Sequence, residues 1–269
     1  MRKSLATLAG LSLGIATILS AHEMFLKPRS HFLPPNAAVT VPLLNGTYST
    51  SENSIDRNRI ADISLMTAHD RTRYDTATVT ARGDSTFFRI ESGSPGTSVF
   101  GVSTRPNQLK LSGKEFTAYL KEEGLTEVID ARRVAGISAD SASERYAKHV
   151  KAILQIGNDR SDGYAAVLGY PAELIPLDNP YSVKPGGTLR VRALVNGTAA
   201  AGLALLAGGR TPGNARLPSQ SVRTGPDGVA TIRLPRPGHY YVKFISMERV
   251  VGGVTDYVSN WATMTFQIR

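Results

Sequence analysis

The 269-residue chain contains no cysteine. That absence removes disulfides, iron–sulfur clusters, thiolate zinc sites and thiol nucleophiles together, and leaves imidazole, carboxylate, thioether and backbone groups as the possible metal donors. Tryptophan occurs once, beside 25 glycines and 15 prolines, a turn-rich balance that favours short strands over long helices. No dense run of Lys or Arg occurs; Arg57-Asn58-Arg59, Arg71-Thr72-Arg73 and Arg132-Arg133 are scattered pairs, unlike the stripes that track phosphates, so nucleic acid is not an expected partner. The G-x-S-x-G, G-x-x-x-x-G-K-[ST] and G-x-G-x-x-G patterns are missing. H-E-x-x-H is missing too, because His22-Glu23 is followed by Met24, Phe25 and Leu26. Ordinary hydrolase and nucleotide-enzyme chemistry is thereby disfavoured, and the chain is read as a binding protein rather than an enzyme.

What is present is ordinary globular material, 41% hydrophobic and 20% charged, with a formal net charge of +9. Arg2 and Lys3, the mostly apolar stretch Leu5 to Leu19 and the small-residue exit Ser20-Ala21 read as an export signal over residues 1–21. Cleavage there would make His22 the first residue of a periplasmic or secreted chain. No later segment approaches the length of a membrane span, so the mature chain is not expected to cross a membrane. Its remaining positive charge suits loose attraction to an anionic envelope surface.

The patterning predicts a mainly β protein: two β-sandwich, immunoglobulin-like domains with a two-helix segment between them. In residues 22–111, Val39, Val41 and Leu43 alternate, and Thr86, Phe88 and Ile90 oppose Phe87 and Arg89. The polar run from Tyr48 to Asn58 is expected to be a loop that rims a site. Residues 112–163 change period. Ser112 and Glu115 form a capping-box pattern ahead of Phe116 and Leu120, and Ser141 and Glu144 repeat it ahead of Tyr146, Val150, Ile153 and Leu154. Two helices are predicted, the second ending at Gly157. Residues 164–269 return to strands: Leu189 to Val195, turned at Asn196-Gly197 and paired back by Gly202 to Ala207, then a strand through Tyr240, Val242 and Phe244, and a last one through Ala262, Met264, Phe266 and Ile268. Asn158 to Gly163 superficially suggests a calcium loop, but Arg160 sits among the would-be ligands and no spaced Glu completes the set.

The informative residue is His22. After cleavage its free α-amine, with an ordinary pKa of roughly 7.7–8.0, and its imidazole can chelate one divalent ion; Ni2+, Co2+ and Cu2+ suit such nitrogen donors. The plain alternative is that a histidine merely follows the cleavage site. Further donors are His31, nine residues on with Pro28 between them, and His239 at the start of a strand, with Met247 and Glu248 just beyond its end. Packing or surface roles would explain each of these singly. His69 is expected in a loop, and His149 on the second helix.

The start His22-Glu23-Met24-Phe25-Leu26-Lys27-Pro28 resembles the AH-[DE]-x-[FW]-L-x-P opening of the bacterial family called domain of unknown function 4198. Further likenesses run along the chain, through Asn45-Gly46-Thr47, Glu122-Glu123-Gly124-Leu125, Leu168-Gly169-Tyr170-Pro171, Pro237-Gly238-His239 and the closing Trp261-Ala262-Thr263. The resemblance implies an exported, sandwich-rich protein. Because relatives are labelled periplasmic components of nickel or cobalt uptake, it also implies a Ni2+ or Co2+ role in which His22 supplies ligands and the partners are uptake components of the inner or outer membrane. Two other classes stay open. One is a non-catalytic module that grips a glycan, peptide or envelope protein through its sandwich loops. The other is a copper enzyme with an N-terminal histidine brace, which needs a second histidine close by.

Overall fold

A computed structural model describes residues 23–269; the predicted export signal and His22 lie outside them. In chain order the strands are β1 (Glu23–Leu26), β2 (Phe32–Leu33), β3 (Ala38–Gly46), β4 (Ile60–Met66), β5 (Arg71–Arg73), β6 (Thr80–Arg82), β7 (Ser85–Glu91), β8 (Gly96–Thr104) and β9 (Asn107–Leu111). Helices α1 (Gly113–Glu122) and α2 (Thr126–Val134) come next. They are followed by β10 (Ala142–Ile156), β11 (Ala172–Pro176), β12 (Thr188–Val195), β13 (Thr198–Ala199), β14 (Ala204–Arg210), β15 (Gln220–Arg223), β16 (Val229–Arg233), β17 (Gly238–Arg249) and β18 (Tyr257–Ile268). The described chain is mainly β, and none of its sheets closes into a barrel. No helix among the described residues is long and apolar enough to cross a membrane.

A ten-stranded sheet is the spine, in the order β15-β14-β17-β18-β10-β8-β4-β5, with β2 and β9 also pairing with β10. It draws strands from all three sequence regions. Two smaller sheets cover it. The first, β1-β3-β7-β6, turns Met24, Leu26, Val41, Leu43, Phe88 and Ile90 onto Ile63, Phe100, Val102, Val150 and Leu154 of the spine. The second contains β11, β12, β13 and β16, and seals Leu174, Leu189, Val191 and Ile232 against Leu205, Tyr240, Val242, Phe244, Met264 and Phe266. Alternation puts one apolar row of each strand into these layers.

The first helix forms as its capping box predicts. Ser112 Oγ accepts from the Glu115 N–H at 3.3 Å, and Glu115 Oε2 accepts from the Ser112 N–H at 2.9 Å. Gly124, at φ +71°, takes the left-handed conformation that ends the helix. The second predicted helix is overturned: Ala142–Ile156 is a fifteen-residue strand. Parallel pairing with β18 on one side, and antiparallel pairing with β9 and β8 on the other, satisfies its backbone and buries both its faces. Being enclosed on both faces frees the strand from strict alternation, so that Tyr146, Val150, Ile153 and Leu154 imitate helical spacing while Glu144, Lys148, His149 and Lys151 are buried. The second helix is instead Thr126–Val134, whose only buried residue is Arg132. Asn196-Gly197 turns the chain as expected, but the strand paired back is the short β13; Ala204–Arg210 joins the spine beside β17.

Candidate functional site

Strands β1 and β17 lie in different sheets and face each other across a seam. On β17, Tyr240, Val242 and Phe244 enter the large core, so His239, Tyr241 and Lys243 take the other face. On β1, Met24 and Leu26 enter the other core, which turns Glu23, Phe25 and Lys27 toward β17. The two rows meet in order. Glu23 is ion-paired with Lys243, the Phe25 and Tyr241 rings stand 5.2 Å apart at 61°, and the charge of Lys27 acts on His239.

At the Lys27 end, His31 and His239 stack obliquely, with ring centroids 5.5 Å apart and planes at 51°. His31 is fully buried. Its N–H donates to Gln267 Oε1 at 3.1 Å, and its carbonyl accepts from the Gln155 N–H at 2.8 Å. The Thr265 hydroxyl donates to Leu26 O at 2.7 Å and stands 3.3 Å from His31 Nε2. With its proton committed, that hydroxyl accepts from Nε2–H, which assigns the His31 proton to Nε2 and leaves a lone pair on Nδ1. Nδ1 of His31 and Nδ1 of His239 are both buried without a hydrogen-bond partner. Burial, and secondarily the neighbouring His239, holds His31 well below the usual histidine range; burial and then Lys27 lower His239. Both rings are therefore neutral near pH 7, the form in which imidazole binds metals. Two imidazoles sharing an ion at about 2.1 Å would have ring centroids roughly 4.5–6.4 Å apart as the N–metal–N angle opens from ~90° to ~180°. The observed separation falls inside that range.

The other sequence candidates are placed elsewhere. Met247 and Glu248 are eight and nine residues along β17 from His239, a separation of ~27 Å or more. Met247 packs against the core under α1, and exposed Glu248 pairs opposite Val258. His22 lies outside the described residues, and His69 is exposed in the β4–β5 loop. Among the described residues, no group of three or more His, Asp or Glu side chains gathers as a metal cluster.

At the other end of the seam, Lys243 Nζ lies between two carboxylates, Glu23 and, at 2.7 Å, Glu123. Burial pulls Lys243 down to about 7. Burial and then the Glu122 charge push Glu123 up to about 8. This cluster borders a cavity of about 470 Å3 walled by Tyr48, Tyr241, Arg210 and Arg216. Tyr48, Ser49 and Glu52, from the run expected to rim a site, line it together with Thr47 just before that run. Gly208 lets Tyr241 lie close over β14, since a Cβ there would meet the Tyr241 hydroxyl at 2.6 Å. Sequence reasoning marked Tyr48 only as part of a loop expected to rim a site, and did not mark Glu23, Glu123, Arg210, Arg216, Tyr241 or Lys243 as site residues. The one signal available was the alternation of β17, which puts a tyrosine and a lysine on the His239 face.

His149 belongs to a different row: Ser103 Oγ lies 2.9 Å from its Nδ1, and Asn260 Oδ1 lies 3.2 Å from its Nε2. The order imitates a base-activated hydroxyl. Burial, however, pulls His149 down to about 4, far from the value near 7 that suits a general base, so the row is read as cross-strand hydrogen bonding. A further cavity, of about 570 Å3, carries Arg160, Lys184 and Arg269 but no imidazole or carboxylate side chain, which disfavours a cation there.

Comparison with curated proteins gives no match. Among solved structures, the crystal structure of calcium binding domain CBD12 of CALX1.1 aligns over 92% of this chain and 100% of its own, with 12% sequence identity and a TM-score of 0.22, a likeness that carries no argument. The profile described as Domain of unknown function (DUF4198) matches residues 19–248, which span β1 to β16 and nearly all of β17 but not β18. By that match, which takes in both histidines of the seam, the chain belongs to the DUF4198 family of domains of unknown function.

Proposed function

We propose that this chain is an exported envelope protein that binds one divalent transition ion, Ni2+, Co2+ or Cu2+, with His31 and His239 as two of its nitrogen donors. The observation that carries the reading is the pair of adjacent, neutral imidazoles whose Nδ1 atoms are buried without partners. A buried polar atom left unsatisfied costs about 1–3 kcal/mol, and an ion would satisfy both at once. The Thr265 hydroxyl orients His31 as an outer hydrogen-bond partner orients a metal-bound histidine. Lys27 opposes a cation electrostatically. That favours borderline ions held by nitrogen over Mg2+ or Ca2+, which require anionic oxygens.

The family's labelled relatives suggest delivery to a nickel or cobalt uptake system, with membrane uptake components as partners. The scaffold in this reading is a pair of sandwiches, the second immunoglobulin-like, over residues 22–111 and 164–269. A mature N-terminus at His22 adds an amine and an imidazole as an independent donor set, one residue before Glu23.

Titration of the mature protein with Co2+, followed by its visible absorption and by calorimetry, tests the reading. One ion per chain is expected, with binding at least tenfold weaker in His31→Ala and in His239→Ala. Adding one alanine before His22 separates the terminal donors from the histidine pair. Unchanged binding in both histidine variants would overturn the assignment of His31 and His239.

A further inference from the structure

The cavity between β1, β14 and β17 is polarised. At its inner end the single ammonium of Lys243 is shared by Glu23 and Glu123, which leaves a surplus of carboxylate, and Glu122 adds to it. On the opposite wall, Arg210 and Arg216 are directly bridged antiparallel neighbours, an arrangement that sends both side chains to one face. Both act electrostatically on Tyr241. Neither arginine has an ion-pair partner among the described residues; the one side-chain hydrogen bond of Arg210 goes from Nη1 to Asn214 O, at 3.2 Å. Two adjacent guanidinium groups without a counter-ion match a carboxylate.

Between the ends, the Tyr48 and Tyr241 rings stand 4.9 Å apart and form an aromatic wall. Tyr48 is 6% exposed and its hydroxyl is buried, so it meets the cavity with its ring rather than its polar end. The volume, about 470 Å3, lies within the ~300–1,000 Å3 of small-molecule sites.

The spacing sets the length of the occupant. Lys243 is two residues along β17 from Tyr241 and four from His239, which is the register partner of Arg210. The two charged ends are thus separated by two to four strand steps, roughly 7–14 Å. Ammonium and carboxylate on the same carbon of a free amino acid cannot bridge that distance. An extended peptide of two to four residues, at up to ~3.3–3.6 Å each, can.

From this polarity and spacing we infer that the cavity is a binding site for a short peptide with free termini, its ammonium toward Glu23 and Glu123 and its carboxylate on Arg210 and Arg216. The inference is independent of the metal reading, because the cavity lining includes neither histidine.

The probe is L-trialanine, tested by calorimetry and thermal shift on the full mature chain alongside its N-acetyl form, its C-terminal amide and free L-alanine. Trialanine is expected to bind, and to bind at least tenfold more tightly than either capped form or alanine. Arg216→Ala, at an exposed position, should weaken it by tenfold or more, while His69→Ala, in the exposed β4–β5 loop, leaves it unchanged. Absence of trialanine binding, equal binding of the capped peptides, or indifference to Arg216→Ala would overturn the inference.

Discussion

The two ends of the β1–β17 seam meet the same physical problem in opposite ways. At one end burial is relieved by neutralisation: His31 and His239 favour the neutral form and keep Nδ1 atoms without a partner. At the other it is relieved by pairing: Lys243 keeps two carboxylates within ion-pair reach. Burial of an ionisable group costs free energy unless the charge is lost or compensated. The difference teaches that the neutralised end offers unpartnered nitrogens to a cation, whereas the paired end, with one ammonium for two carboxylates, holds the strands together and keeps negative charge in surplus.

The strongest way to break that contrast is Lys243→Met. It leaves the Glu23 and Glu123 carboxylates facing each other in the seam, and a loss of about 3 kcal/mol is expected from urea unfolding, at the low end for a broken buried pair because Glu23 is partly solvated. A loss below 1 kcal/mol would mean that the paired end contributes little.

Acid should act on the neutralised groups. His149 has a folded-state value of about 4 against an ordinary 6.5, and His31 and His239 are lowered as well. Between those values the unfolded chain binds more protons than the folded one, so stability rises with pH from about 4 to 6.5 and is lost as pH falls back through that window. His149 alone accounts for about 3 kcal/mol across it. Melting temperatures of the wild type and of His149→Asn over pH 4–7 should therefore differ in slope; parallel curves would remove His149 as the cause.

Thr265→Val takes away the hydroxyl that fixes the His31 proton on Nε2. Cobalt affinity should fall by roughly 10-fold or more, as for other outer hydrogen-bond partners of metal-bound histidines, with trialanine binding intact. An unchanged cobalt spectrum and affinity would sever the hydroxyl from the metal site. The smallest effect is expected for Glu123→Gln. The isosteric amide keeps an oxygen that accepts from Lys243, and Glu23 still pairs with that ammonium, so the change should cost about 1 kcal/mol or less in the same unfolding assay.

Much of the fold was legible because its signals are local. Ser112 and Glu115 sit three residues apart and cap α1 within one turn, and Asn196-Gly197 turns its hairpin with both residues at positive φ. The row Ala262, Met264, Phe266 and Ile268 faces the core as its alternation requires. Strand β10 was misread because Tyr146, Val150, Ile153 and Leu154 fall at helical intervals and Ser141 with Glu144 imitates a cap. Its extended state depends on β18, β8 and β9, which lie far away in sequence. Of the candidate site, His31 and His239 could be named as residue types able to hold an ion. Their meeting across more than two hundred residues carries no local signature, and neither does the ~27 Å between Met247 and His239.

The sequence by itself determined the β-rich architecture, the capped first helix, the turn positions and the set of donors from which a cysteine-free metal site can be made. These follow from side-chain stereochemistry and apolar period within a few residues. The tertiary structure alone decided that β10 is the hub of a ten-stranded sheet, that two histidines share one buried seam, and that glutamates at one end and two arginines at the other polarise the cavity beside them. Those outcomes depend on the register in which distant strands pair, which is set by packing across the whole chain.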